Sequence, residues 1–159
     1  MKSTAMFLAL LLCAATLEAQ TASPPVATTR PGNAAATSET FSAAVANDLL
    51  FQLAEGMESR NSRMALGAFD AGKVSGYQRF ADQMDAWFHQ NSGFRVYYKV
   101  KQTSTEDARG IALVEFEYEA TPSAEGTSPL RRHTQVRFIF ERGLKGWKIV
   151  DFTPRSLFS

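Results

Sequence analysis

Asp151 is the residue whose type and position carry the most chemistry in this chain. Thr134 to Phe152 (TQVRFIFERGLKGWKIVDF) reads as two strands joined by a tight turn. With Gly143-Leu144 as a two-residue turn, Arg142 pairs with Lys145, and Phe140, Phe138 and Val136 fall opposite Trp147, Ile149 and Asp151. Glycine at the first turn position suits a type II′ hairpin. Side chains alternate with period two, so a carboxylate shares one face with five large apolar residues. In such surroundings a carboxylate loses hydration and its pKa rises, which suits a general acid or base. The structural alternative is that Asp151 sits at the strand end, reaches water or pairs with an arginine.

Other groups invite the same question. Tyr77, Tyr97, Tyr98 and Tyr118 can offer a phenol to a ligand, although Tyr77 and Tyr118 lie on apolar faces where core packing is the default. Asp70, in the loop after Phe69, is placed to line a pocket mouth. Asp82 and Asp85 point away from an aromatic stripe and read as solvated. His89 ends a helical stretch, where the helix dipole favours a cation. His133 falls on the opposite face from Val136. Two histidines far apart in sequence disfavour a zinc site. No Gly-x-Ser-x-Gly elbow and no phosphate-cradling glycine loop is present, which leaves serine-hydrolase and nucleotide readings without a motif. Nothing implies a cofactor.

The elements that position these groups follow from periodicity. A helix begins near Ser38 or Thr40, with Phe41, Val45, Leu49, Leu53 and Met57 recurring every four residues. Ser62 to Phe69 forms a short second helix. Ser75 and Gln78 match a capping box that opens a third, carrying Tyr77, Phe80, Met84, Trp87 and Phe88, and Asn91-Ser92-Gly93 fits a glycine C-cap. Beyond Gly93 the pattern alternates: Phe94 to Lys101 and Gly110 to Ala120 are strands, separated by a polar loop from Gln102 to Arg109. Thr121 to Pro129 is a second loop, before the hairpin. Helices followed by consecutive strands indicate an α+β fold with an antiparallel sheet covered on one face. Ile139, Val150 and Phe152 point to the other face, which suggests a homodimer through the outer side of the sheet, or a cover formed by Leu157 and Phe158.

Composition narrows the class. The chain has 159 residues, 45% apolar and 21% charged, with a formal net charge of +1, as expected of one globular domain. No basic excess points to nucleic acid. Lys2 followed by the apolar run Met6 to Ala15 reads as a signal peptide, shorter than the roughly 20 residues of a membrane span. Cleavage fits after Ala19 or Ala22, which makes 1–19 a signal peptide and the destination periplasmic or extracellular. Cys13 is the one cysteine, and Leu12 stands where lipidation wants a small residue. The Ala/Thr/Pro-rich stretch 20–37 contains three prolines and reads as a flexible linker to a domain over 38–159.

The element order, with the closing Gly146-Trp147-Lys148-Ile149-Val150-Asp151 strand, resembles the nuclear transport factor 2-like superfamily, which includes SnoaL-like polyketide cyclases and ketosteroid isomerases. The resemblance spans about Phe41 to Phe158. It implies three N-terminal helices packed in the concave face of a curved, mostly antiparallel sheet of four or more strands, wrapped as a cone around an internal pocket. Tyr77, Phe80, Met84, Trp87, Phe116, Tyr118, Phe138 and Trp147 would line that pocket, with Asp70 at its mouth. No catalytic motif of that superfamily transfers residue by residue. The expected function is therefore an exported binder of a small apolar ligand or an interaction module. The alternatives are a cofactor-free lyase or isomerase using Asp151, and a structural dimer whose cone is filled by side chains.

Overall fold

The structure, a computed structural model, describes residues 40–158. The expected signal peptide and linker lie outside the described residues. Three helices, α1 (Ala43–Glu58), α2 (Ser62–Leu66) and α3 (Tyr77–Gln90), precede four strands: β1 (Asn91–Glu106), β2 (Arg109–Pro122), β3 (Leu130–Gly143) and β4 (Gly146–Thr153). A 3-10 turn, Arg155–Phe158, follows. The strands form one antiparallel sheet in the order β1-β2-β3-β4. The α+β order expected from the alternation is the observed one.

Helix α1 is capped by Ser42, whose Oγ accepts from the Val45 N–H at 3.3 Å, two residues later than Thr40. The shift leaves Phe41 free to lie against Phe140 and Trp147, with ring centroids 5.0 and 5.2 Å away. Val45, Leu49, Leu50, Leu53 and Met57 form the buried stripe. Gly56 looks misplaced in a helix interior, where glycine costs about 1 kcal/mol relative to alanine. Its reason is close approach: a Cβ there would meet the Ala65 backbone nitrogen at 2.3 Å. Gly56 is thus what lets α2 pack directly on α1.

Both expected terminal signals of α3 are corrected. Its N-cap is Gly76, which makes no side-chain bond, and Gln78 bonds Asp82 at 2.8 Å instead of reaching back to Ser75. At the other end the chain passes into β1 without a glycine cap. Asn91, in extended conformation, stops the helix by donating its side-chain amide to the Trp87 carbonyl at 2.8 Å. The polar loop expected over Gln102 to Arg109 shrinks to a two-residue turn. Asp107 and Ala108 both have positive φ (47° and 64°), and pairing resumes at Glu106↔Arg109. Positive φ at both central residues is the primed-turn geometry that suits strand twist.

The β3–β4 register also differs from the expected one. The turn centres on Leu144-Lys145, with Gly143 paired to Gly146, and Phe140 stands opposite Ile149 in place of Trp147. Gly146 takes φ +98°, a conformation glycine reaches without strain. A bulge then intervenes at Val150, so that Ile139 pairs with Asp151 and Phe138 with Phe152. The free edge of β4 is met by the segment after α2. Phe69 bridges Ile149 in parallel, with Asp70 N–H donating to the Ile149 carbonyl at 2.8 Å and Ile149 N–H to that of Ala68 at 2.9 Å.

Gly56→Ala tests the helix contact. Overpacking against backbone costs about 1–3 kcal/mol, so the urea midpoint is expected to fall despite the better helix former; a midpoint that stays or rises would show that α2 can move away freely.

Candidate functional site

The inner face of the sheet collects most of the residues expected around a pocket, but they fill the space they enclose. Phe80, Met84, Trp87, Phe116, Tyr118 and Phe138 are all buried in one core cluster. Phe158 enters from the C-terminal turn, its ring 5.5 to 6.3 Å from those of Phe80, Trp87, Phe116 and Phe152. The turn is pinned by Gln83, which donates to the Phe158 carbonyl at 3.1 Å, and by Arg132, which donates to that of Ser156. Leu157 and Phe158 therefore close the inside of the cone and do not cover the outer face. Trp147 is only half-buried and packs at the far end against Phe41.

Within this apolar interior the phenol of Tyr118 is the polar exception. It is fully buried, its oxygen has no hydrogen-bond partner among the described residues, and desolvation pushes its pKa up against the weaker opposing pull of Arg132. Tyr77 stands half-buried at the rim, edge-on to Phe80. Tyr98 donates to the Asn47 carbonyl at 3.3 Å, and Tyr97 is exposed on the outer face. Asp70 closes its own turn, accepting from the Gly72 N–H at 2.9 Å, beside a shallow cleft that reaches the β3–β4 turn. His89 Nδ1 lies 2.7 Å from the Asp85 carbonyl one helical turn back.

Asp151 is corrected to the other side of the sheet. The bulge at Val150 turns it outward beside Ile139 and brings Phe152 inside, where the expected register had them reversed. Its Oδ1 accepts from the Phe152 N–H at 2.8 Å and pairs with Arg155, and its side chain is 42% exposed. Arg155 also lies over the Phe152 ring, 4.9 Å from its centroid. The carboxylate thus organises the exit of β4 and lacks the apolar enclosure that would make it a buried acid.

The outer face is mostly ionic. Arg95, Glu119 and Arg131 stand in one cross-strand row, Tyr97, Glu117 and His133 in the next, and Lys99, Glu115 and Gln135 in a third. Opposite charges in adjacent strands support such a ladder; Arg131 pairs with Glu117, and Lys101 with Glu115 at 3.0 Å. With Phe152 inward, the apolar strip that suggested a sheet-to-sheet dimer reduces to Ile139 and Val150, with Ile111 and Leu113 beside it on β2. Over that strip lies a cleft of about 440 Å³, with Ile139 and Val150 at its base and Lys73, Ser75, Arg109, Glu141, Asp151 and Arg155 around it. Glu141 accepts from Lys73 at 2.6 Å and from Arg109 at 2.7 Å, and these bonds, Lys73 first, hold its pKa below the usual glutamate range. Sequence reasoning found Asp151 but missed this company. The four-residue spacing of Asp151 and Arg155 was a visible signal; Lys73 and Arg109 come from remote stretches that only the fold brings together.

Among the described residues, no group of three His, Cys, Asp or Glu side chains is arranged to hold a metal ion, and no helix is long and apolar enough to cross a membrane. No protein-family profile matches the sequence, and no curated protein matches it either. Solved structures do. A conserved protein from Planctomyces limnophilus superposes with a TM-score of 0.60 at 11% identity, over 69% of this chain and 91% of that one. The intermembrane-space region of the chloroplast protein ARC6 gives 0.59 at 13%, over 72% and 97%. A nuclear transport factor 2-like superfamily protein from Salmonella enterica serovar Typhimurium gives 0.57 at 10%, over 66% and 83%. The chain has the nuclear transport factor 2-like fold.

Two outcomes follow from this geometry. Phe158→Ala removes the stopper and is expected to destabilise the fold by about 3–5 kcal/mol, the usual cost of emptying a buried phenylalanine site, read from denaturant melts. Glu141, with its folded pKa lowered, contributes stability that is complete above the usual glutamate range and lost as pH falls through its folded value. Glu141→Gln should therefore lower stability at neutral pH and flatten its acid decline; parallel pH curves for the two proteins would contradict this.

Proposed function

We propose that this chain is an exported, non-catalytic module that meets its ligand or partner with the outer surface of a self-filled cone. The observation that carries the reading is the interior: Phe116, Tyr118, Phe138, Phe152 and Phe158 occupy the space where a ligand would sit, each no more than 1% exposed. A lyase or isomerase using Asp151 calls for a desolvated carboxylate near a second titratable group, and a half-exposed Asp151 paired with Arg155 gives it little support. Export is supported by the sequence alone, through Lys2, the apolar run Met6 to Ala15 and the small residues Ala19 and Ala22. The fold itself does not choose among activities, since function resides in sites carried on it.

Native mass spectrometry of the protein, purified gently from its own host, tests the reading. The expected spectrum shows no apolar small molecule bound in stoichiometric amount. A copurified apolar ligand that protects Trp87 fluorescence from quenching would place a binding pocket inside the cone and overturn the proposal.

A further inference from the structure

The cleft on the outer face departs from its surroundings in a way that calls for a ligand. Strands β1 to β3 present charged and polar side chains outward along most of their length, whereas the cleft has a floor of Ile139 and Val150, the latter 7% exposed. Three cations from separate stretches converge around that floor: Lys73 before α3, Arg109 at the start of β2 and Arg155 in the C-terminal turn. Two carboxylates accompany them, so positive charge is in excess by one. Exposed ion pairs add little to stability, and stability alone is a weak reason for gathering five charges over an apolar floor.

We propose that this cleft binds a small organic oxyanion, a carboxylate or phosphate monoester that carries a short apolar body. The proposal deepens the reading that the working surface lies outside the cone, and rests on it. Glu141 is the organiser: one oxygen takes Lys73 and the other takes Arg109, which fixes both cations before any ligand arrives. Arg109 uses Nε for that bond, and among the described residues its two terminal nitrogens are left for a second acceptor. Asp151 fixes Arg155 in the same manner through one terminal nitrogen. A planar guanidinium edge matches the paired oxygens of a carboxylate or phosphate, and holding it in place beforehand lowers the ordering cost of binding. The apolar body would lie on Ile139 and Val150. A volume of about 440 Å³ is within the range of small-molecule sites, about 300–1,000 Å³.

The test is a methyl and amide NMR titration of the full chain with sodium hexanoate and, separately, with n-hexyl phosphate. Saturable shifts of the Ile139 and Val150 methyls and the Ser75 and Arg155 amides are expected with at least one probe, and the tighter probe identifies the headgroup. Arg109→Gln, at a side chain 59% exposed, should fold normally and weaken binding tenfold or more. Lys73→Gln, also on the surface, should weaken it in the same direction. Absence of shifts with both probes, or equal affinity in the two variants and the parent, overturns the site while leaving the filled cone untouched. Saturable shifts at Phe116 and Tyr118 in place of the cleft would overturn both readings.

Discussion

Between Ile149 and Asp151 the backbone of β4 carries one residue more than β3 opposite it, and every side chain beyond that point changes faces. Without this bulge, Asp151 would be buried among aromatics and Phe152 would lie in solvent, at a cost in both positions. With it, Phe152 joins the rings of Phe69, Phe80, Phe138 and Phe158. Asp151 instead becomes the outward anchor for Arg155, which steers the following turn and, through it, the placement of Phe158. Bulges re-aim side chains and bend strands. Here a single inserted residue decides both that the cone is filled and that its charged groups gather on the outside.

The fold was legible in the sequence because its two periods are clean. The four-residue recurrence from Phe41 to Met57 and the alternation from Gly110 to Ala120 each leave one reading, and the order of elements then selects α+β. The turns and caps were less legible, since several residues nearby satisfy the same local chemistry. Ser75 has the right type for a cap, yet the preceding turn, in which the Val74 N–H donates to the Asp70 carbonyl, brings Gly76 to that position. Gly143 suits a type II′ turn, but Gly146 with its left-handed backbone sets the register one residue later.

The site was legible only in part, for a physical reason. A period-two argument assigns faces correctly until a bulge, and then inverts them. Asp151 lies immediately beyond such a point, so its type and neighbours misled where its ion-pair spacing to Arg155 did not. The cleft depends on Lys73, Arg109 and Glu141, which are joined by sheet register and by the return of the loop after α2. Local sequence carries no trace of that meeting.

The pairing of Phe69 with Ile149 has a consequence for how these molecules can associate. Open-ended growth of a sheet from chain to chain requires two available edges on each molecule, one to receive a strand and one to offer it. Here the β4 edge is occupied at mid-strand by the chain's own Ala68–Asp70 backbone. At β1, Glu58 takes up the Val96 N–H at 2.8 Å, while at the strand's polar end Gln102, Thr105 and Glu106 are exposed and Thr103 and Ser104 half-buried. Among the described residues, β1 therefore offers the longer open edge, and pairing through it would join two molecules β1 to β1. The loop after α2 thus takes up backbone groups at the middle of β4 that a strand from another molecule would otherwise find unpaired.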